Sequence, residues 1–295
     1  MPIASIRCPS GEIRSIDDCL GSCVNRCVTL PVLLSLVEER RWTGVFSTTQ
    51  LLNGTMMEFL RITKPYTIDL QDRVFILLGI RTHKQLERMA NLLGLPAEVP
   101  LSMDRNIIDL LEWENGWVLI DYKVWGSYRV AKALGLKVVG RQPTGEVYKT
   151  SGKWGKAGTP KTVPVFAPVP EEANLFEPEL QLNRYRILLK RWNISVSRMR
   201  LQVIVRDAGT ILAKSRGVTQ GLYLVPIREL DNRAVEDYFA RKAAVLSHCL
   251  ESGECKLLCD DRESWEGRRC ARYCEVAEYC PRGKLQRKLE KKEDL

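Results

Sequence analysis

The sequence predicts an α/β protein of the α+β kind: a central mixed β-sheet flanked by helices, with cysteine-rich, metal-binding segments at both ends. Three observations lead there. A chain of 295 residues with 45% hydrophobic and 27% charged content can bury a sizeable core, which excludes wholesale disorder. Stretches of helical apolar spacing alternate with short β-rich runs. The ten cysteines crowd at the ends, as Cys8, Cys19, Cys23 and Cys27, then Cys249, Cys255, Cys259, Cys270, Cys274 and Cys280, with none between. The expected organisation is a cysteine-rich segment over 1–44, a core over 45–250 with an insertion at about 140–178, and a cysteine cluster with a basic tail over 251–295.

The elements follow in order. "LPVLLSLVEERRW" reads as a short amphipathic helix. "STTQLLNGTMMEFLRIT" reads as another, capped by Ser47 or Thr48, with Leu51, Met56, Phe59 and Leu60 on its buried side. "DLQDRVFILLGIRTHKQLERMANLLGL" is a longer helix carrying His83, with a stripe at Val74, Leu77, Leu78, Leu86, Met89 and Leu93, closed by Gly94. Residues 106–128 form a hairpin, and "SYRVAKALGLKVV" starts as a helix. Residues 140–178, rich in Gly, Pro, Lys and Thr, read as a long loop. "EPELQLNRYRILLKRW" is a helix with Pro178 in its first turn. "RMRLQVIVRD" and "LYLVPI" are strands, and a helix capped by Asp231 or Asn232 follows. The charged tail "KLQRKLEKKEDL" reads as solvated or frayed.

The hairpin "NIIDLLEWENGWVLIDYKVWGSY" carries Asp109, Asp121 and Lys123 where apolar residues belong. Two registers are open. A two-residue Asn115-Gly116 turn sets Asp109 opposite Tyr122 and sends the two acids to opposite faces. A three-residue Glu114-Asn115-Gly116 turn, with Gly116 in a left-handed bulge, sets Asp109 across from Asp121 with Cβ atoms about 5 Å apart. Lys123 then shares that face, because strand side chains alternate. Two carboxylates so placed repel unless a divalent cation lies between them. Taken by itself, the motif is as well explained by solvated strand ends with Lys123 paired to one acid.

Four short motifs together resemble the RecB-type branch of the PD-(D/E)XK nuclease superfamily. They are His83 in "GIRTHKQLE", Asp109 in "NIIDLLE", Asp121-Tyr122-Lys123 in "IDYK", and Gln181 with Tyr185 in "QLNRY", in that chain order. The resemblance covers about residues 45–250 without the 140–178 segment, and it implies a restriction-endonuclease-like core. It implies Asp109, Asp121, Lys123, Gln181 and Tyr185 as catalytic residues. It also implies His83, Asp109, Asp121 and the Tyr122 backbone carbonyl as ligands of Mg²⁺ or Mn²⁺, the histidine nitrogen favouring Mn²⁺. The chain departs from the family at Asn106, where glycine is common, and in the long segment ahead of Gln181.

Nucleases of the CRISPR-adaptation and AddB kinds have a terminal cysteine cluster comparable to "CDDRESWEGRRCARYCEVAEYC". By that resemblance Cys270, Cys274 and Cys280 join one early cysteine, Cys27, around a 4Fe–4S cluster, with Cys259 or Cys23 as the alternative fourth ligand. A second arrangement stays open, in which Cys259, Cys270, Cys274 and Cys280 form one site and the first four cysteines another. Four thiolates suit zinc as well as iron–sulfur.

A net charge of +9 and a pI near 9.1 leave room for a polyanionic partner. No apolar run is long enough to span a membrane, and the amino terminus lacks a secretory pattern, so a cytoplasmic protein with reduced thiols is expected. The expected function is a metal-dependent DNA nuclease acting on linear or single-stranded DNA in recombination, repair, or CRISPR or phage DNA processing. The resemblance adds a helicase or integrase partner. The competing expectation is a non-catalytic DNA-binding protein with structural zinc sites and a degenerate nuclease core.

Overall fold

A computed structural model describes residues 3–38, 42–101, 106–153 and 155–293. The chain opens with β1 (Ile3–Arg7), β2 (Ile13–Ser15), α1 (Ile16–Gly21) and α2 (Leu30–Val37). Next come α3 (Thr48–Leu52), α4 (Thr55–Thr63), β3 (Tyr66–Asp69) and α5 (Leu70–Leu92). The middle runs β4 (Ala97–Pro100), β5 (Ile107–Trp113), β6 (Trp117–Trp125), α6 (Ser127–Ala133), β7 (Leu136–Val147) and β8 (Pro160–Pro168). The remainder is α7 (Phe176–Arg191), β9 (Val196–Val205), α8 (Ile211–Lys214), β10 (Leu222–Ile227), α9 (Asn232–Ser252) and α10 (Pro281–Glu293).

The fold is mixed α and β. Its largest sheet has the order β10-β9-β6-β5-β4. That sheet is itself mixed: β6 runs parallel to β9, while the β4–β5 and β9–β10 pairs are antiparallel. A small sheet, β2-β1-β3, and the ribbon β7-β8 complete the strands. Among the described residues no helix is long and apolar enough to cross a membrane. The chain divides into two compact units, residues 1–110, 180–195 and 229–295, and residues 111–179 and 196–228.

In the first unit, α4 packs on α9. Leu51, Met56, Phe59 and Leu60 are buried as their spacing predicts, together with Val235, Phe239 and Leu246 of α9. The expected single helix here is two, broken at Asn53-Gly54. Ser47 caps α3 through a capping box with Gln50, and Gly54 starts α4. Buried polar groups fix this region. The backbone N–H and hydroxyl of Thr48 both donate to Asn106 Oδ1, at 2.9 and 2.6 Å, and Asn106 is 1% exposed. On α7, buried Arg186 donates to Glu229, to the Leu230 carbonyl and to Asn232, tying α7 to the start of α9.

The apolar stripe expected on α5 is not a core face. Val74, Leu78, Met89 and Leu93 are all exposed, Leu93 at 74%, and within the helix only Leu70 and Ala90 are buried. Apolar period selected the helix here without selecting what it packs on. The tail also differs from expectation: it is α10, a helix packed on the turns around Arg269–Tyr273 and Ala277–Tyr279. Gly283 permits that approach, since a side chain there would strike the Ala277 backbone. The residues given to "EERRW" at 39–41 lie outside the described residues.

In the second unit the expected loop at 140–178 is largely the β7–β8 ribbon and the first turn of α7. Its register shifts twice, between Val138 and Gly140 and between Pro143 and Val147. Glycine and proline marked those irregularities, and the sequence reading took them for the absence of a strand. Ser127, buried at the start of α6, donates its N–H to Asp207 Oδ1 and its hydroxyl to Oδ2, both at 2.6 Å, while Arg216 donates to the hydroxyl at 2.9 Å.

Burial alone would raise the Asp207 carboxyl, but the Ser127 donors and the nearby Arg216 outweigh it and hold it below the usual carboxylate range. A depressed carboxylate stabilises the fold above its unfolded-state value and loses that contribution as pH falls through the folded one. Asp207→Asn is expected to cost about 1.5–3 kcal/mol at neutral pH in chemical denaturation. The gap from wild type should close below about pH 4.

Candidate metal centre and cysteine clusters

In the first unit, α5, β4 and β5 bring together one nitrogen and two carboxylates. Asp69 caps α5 by accepting the Gln71 N–H, and His83 lies three turns along the helix. The β4–β5 register pairs Ala97 with Leu110 and Val99 with Ile108, which sets Glu98 opposite Asp109. His83 Nδ1 is 3.4 Å from Glu98 Oε1 and 3.7 Å from Asp109 Oδ1. All three offer ligand atoms within 4.8 Å of one another, at partial burial. Glu98 has a φ of 49°, a left-handed conformation costing about 1 kcal/mol or more at a residue that is not glycine. One imidazole and two carboxylates suit a hard-to-borderline divalent ion such as Mn²⁺.

Sequence reasoning selected His83 and Asp109 but missed Glu98. "PAEVP" carries no motif, and only the pairing of β4 with β5 would have pointed to it.

In the second unit the turn between β5 and β6 holds three residues, Glu114, Asn115 and Gly116, flanked by Trp113 and Trp117 with rings 5.2 Å apart. Asn115 and Gly116 both take positive φ, 55° and 141°. A side chain on Gly116 would also press on Ser197, whose hydroxyl donates to the Trp117 carbonyl. This is the longer of the two turns the sequence allowed. On β6, Asp121 is only 3% exposed, and Lys123 Nζ lies 2.6 Å from its Oδ2. The two residues share a face as strand alternation requires. Asp121 is therefore neither solvated nor at a strand end, although it does pair with Lys123. Tyr122 between them is half-buried.

On α7, Gln181 and Tyr185 lie one turn apart, with Gln181 Nε2 3.5 Å from the Tyr185 hydroxyl, and Tyr185 is buried.

All ten cysteines are free thiols. Cys259, Cys270, Cys274 and Cys280 form one set. Burial pushes Cys259 and Cys274 up to about 11, with smaller upward contributions from Glu263 at Cys259 and from neighbouring thiols at both. Backbone N–H groups oppose this, from Met57 at Cys259 and from Val276 at Cys274. Thiols raised this far are protonated at neutral pH, so a metal here would have to displace their protons, and among the described residues no three of these sulfurs lie within 4.8 Å of one another. Cys27, the expected fourth partner, lies within electrostatic reach of Cys19.

The late set docks on the α3–α4 break. Arg269 donates to Asn53 Oδ1 at 2.6 Å, Lys242 to the Asn53 carbonyl at 2.7 Å, and Arg61 pairs with Glu275 at 3.3 Å. Arg282 donates to the Cys259 carbonyl, and Arg272 pairs with Glu290. Arg269, Arg272 and Arg282 are thus engaged within the protein.

Comparison with family models, with curated proteins and with solved structures gives no match.

Two outcomes test these sites. Mn²⁺ binding followed by electron paramagnetic resonance should weaken at least about tenfold in Glu98→Ala, and likewise in His83→Ala, as expected for losing one ligand. Gly54→Ala keeps an allowed backbone, but its new methyl strikes Cys259. It should lower stability by about 1–3 kcal/mol in thermal unfolding and loosen any metal held by the late cysteines.

Proposed function

We propose that the protein is a divalent-metal-dependent deoxyribonuclease of the RecB-like PD-(D/E)XK kind, with a restriction-endonuclease-like core, acting on ends or single strands of DNA. The observation that supports this most is the proximity of His83 to Asp109. Two residues singled out as ligands of one ion have their nitrogen and oxygen 3.7 Å apart, and Glu98 joins them. The order α5, β4, β5, β6, α7, bearing His83, Asp109, Asp121-x-Lys123 and Gln181-x-x-x-Tyr185, is the order the resemblance requires.

On this reading Asp121 and the Tyr122 carbonyl are further ligands of Mn²⁺ or Mg²⁺. A bound ion would polarise the scissile phosphate and make a nearby water more acidic. Lys123, its ammonium held at 2.6 Å by the Asp121 carboxylate, orients the attacking water and offsets charge on the phosphorane. Gln181 and Tyr185 touch the DNA. The +9 charge favours a polyanionic substrate. For the late cysteines we extend the proposal to a 4Fe–4S cluster on Cys259, Cys270, Cys274 and Cys280.

End-labelled linear DNA, single- and double-stranded, should be degraded with Mn²⁺ or Mg²⁺. Asp109→Ala and Lys123→Ala should each lower the rate at least about 10²-fold. DNA binding without cleavage under any divalent ion would instead favour the non-catalytic DNA-binding protein. Absorbance near ~400 nm in anaerobically purified protein reports the iron–sulfur cluster, and a colourless protein with stoichiometric zinc refutes it.

A further inference from the structure

The β7–β8 ribbon of the second unit is used by none of the sites above. Its base is rooted in the unit. There β7 packs on α6, and the Val169 N–H donates to the Gly135 carbonyl at 2.9 Å. The Phe166 ring lies so close to Gly217 that a side chain at 217 would strike it. Beyond this base the ribbon stands in solvent, and every residue of β7 from 137 to 147 is exposed. Its far end is nevertheless closed by backbone pairing. The Tyr148 N–H donates to the Thr159 carbonyl at 3.0 Å, and the Gly158 N–H to the Tyr148 carbonyl at 2.9 Å. Gly152 and Gly155 donate to each other's carbonyls at 2.9 and 3.2 Å. A two-stranded ribbon without a packed face is only marginally stable in water, so this projection carries a cost that folding alone does not explain.

Three features define what the ribbon meets. The first is charge. Residues 139–165 hold five basic residues, Arg141, Lys149, Lys153, Lys156 and Lys161, against one acid, Glu146. That acid is already paired with Lys161 at 2.7 Å. Among the described residues Arg141, Lys149 and Lys156 form no ion pair, and all three are exposed. The second is proline. Pro143, Pro160, Pro164 and Pro168 have no N–H to offer a third strand, which disfavours strand addition by another protein. The partner is therefore met by side chains and not by backbone pairing. The third is open glycine backbone. At Gly140, Gly145, Gly152 and Gly158 a Cβ would meet nothing within 4 Å, so a bulky chain such as a phosphodiester can approach closely.

We propose that the β7–β8 ribbon is a duplex-DNA-binding arm that enters a groove and grips phosphates through Arg141, Lys149 and Lys156 without reading sequence. The choice of DNA among polyanions rests on the nuclease reading, whereas the charge and shape of the arm do not. A two-stranded ribbon is narrow enough to lie in the major groove of B-form DNA, which a single strand lacks. Basic side chains directed at phosphates release counterions, so the affinity they give falls steeply with salt.

The test is fluorescence anisotropy of a labelled blunt duplex and of a single strand of the same length. EDTA is present, so that binding is read without cleavage. Arg141→Gln/Lys149→Gln/Lys156→Gln should weaken duplex binding at least about tenfold at ~0.1 M salt and reduce the salt slope by about 2–3. Single-strand affinity should change less than about threefold. The three side chains are exposed, so thermal unfolding should be unaltered. The proposal is overturned if the variant keeps the duplex affinity and slope of the unsubstituted protein. It is also overturned if both DNAs lose affinity equally, or if the unsubstituted protein binds no duplex. The nuclease reading fails separately. Duplex bound through the ribbon but uncleaved with Mn²⁺ or Mg²⁺ removes the enzyme and leaves the arm, whereas cleavage together with undiminished binding by the variant removes the arm alone.

Discussion

The side chain of Asn106 fixes the position of the strand on which the candidate metal centre depends. One amide oxygen takes both the N–H and the hydroxyl of Thr48, and the Asn106 carbonyl takes the Leu101 N–H at 2.6 Å. Buried donors at a helix start must be satisfied by something, and here the residue just before β5 satisfies them. The start of β5 is thus locked to α3, and Asp109, three residues on, inherits that position. The β4 register then places Glu98 against it. A glycine at 106 would remove the acceptor of both Thr48 donors, so asparagine at this position is structural.

Charges elsewhere in the first unit follow the same logic. Glu58 is buried and accepts from Asn53 and Arg61 at 2.8 and 3.2 Å, and Arg61 reaches on to Glu275. Removing one partner from such a group leaves an uncompensated buried charge, which costs more than the pair contributes. In the second unit the Asp121–Lys123 pair is the corresponding case. The lysine ammonium is partly exposed, but the buried carboxylate restrains where it can point.

Elements with strong local signals were legible in the sequence. The Asn-Gly turn, the caps at Ser47 and Asp231, and the helix containing His83 all followed from residue chemistry that acts within a few positions. Contacts set at long range were not legible. The β7–β8 ribbon was hidden because its glycines and prolines interrupt the alternation that marks a strand. What α5 packs on was not legible, because apolar period specifies an amphipathic helix without saying where its partner lies. Glu98 was missed because its place beside His83 and Asp109 comes from strand pairing.

The docking of the late cysteine segment on the α3–α4 break has a consequence for how the chain is made. The Asn53 amide nitrogen has Glu58 close by in the chain, but its oxygen finds its donor at Arg269 and so waits through 216 residues of synthesis. At ribosomal speeds that is about 10–40 s. During this interval α4 exists with Gly54 bare and Glu58 short of its full surroundings. Helices of the first unit therefore emerge early but consolidate late, and a nascent chain spends its time at the ribosome with an open apolar face.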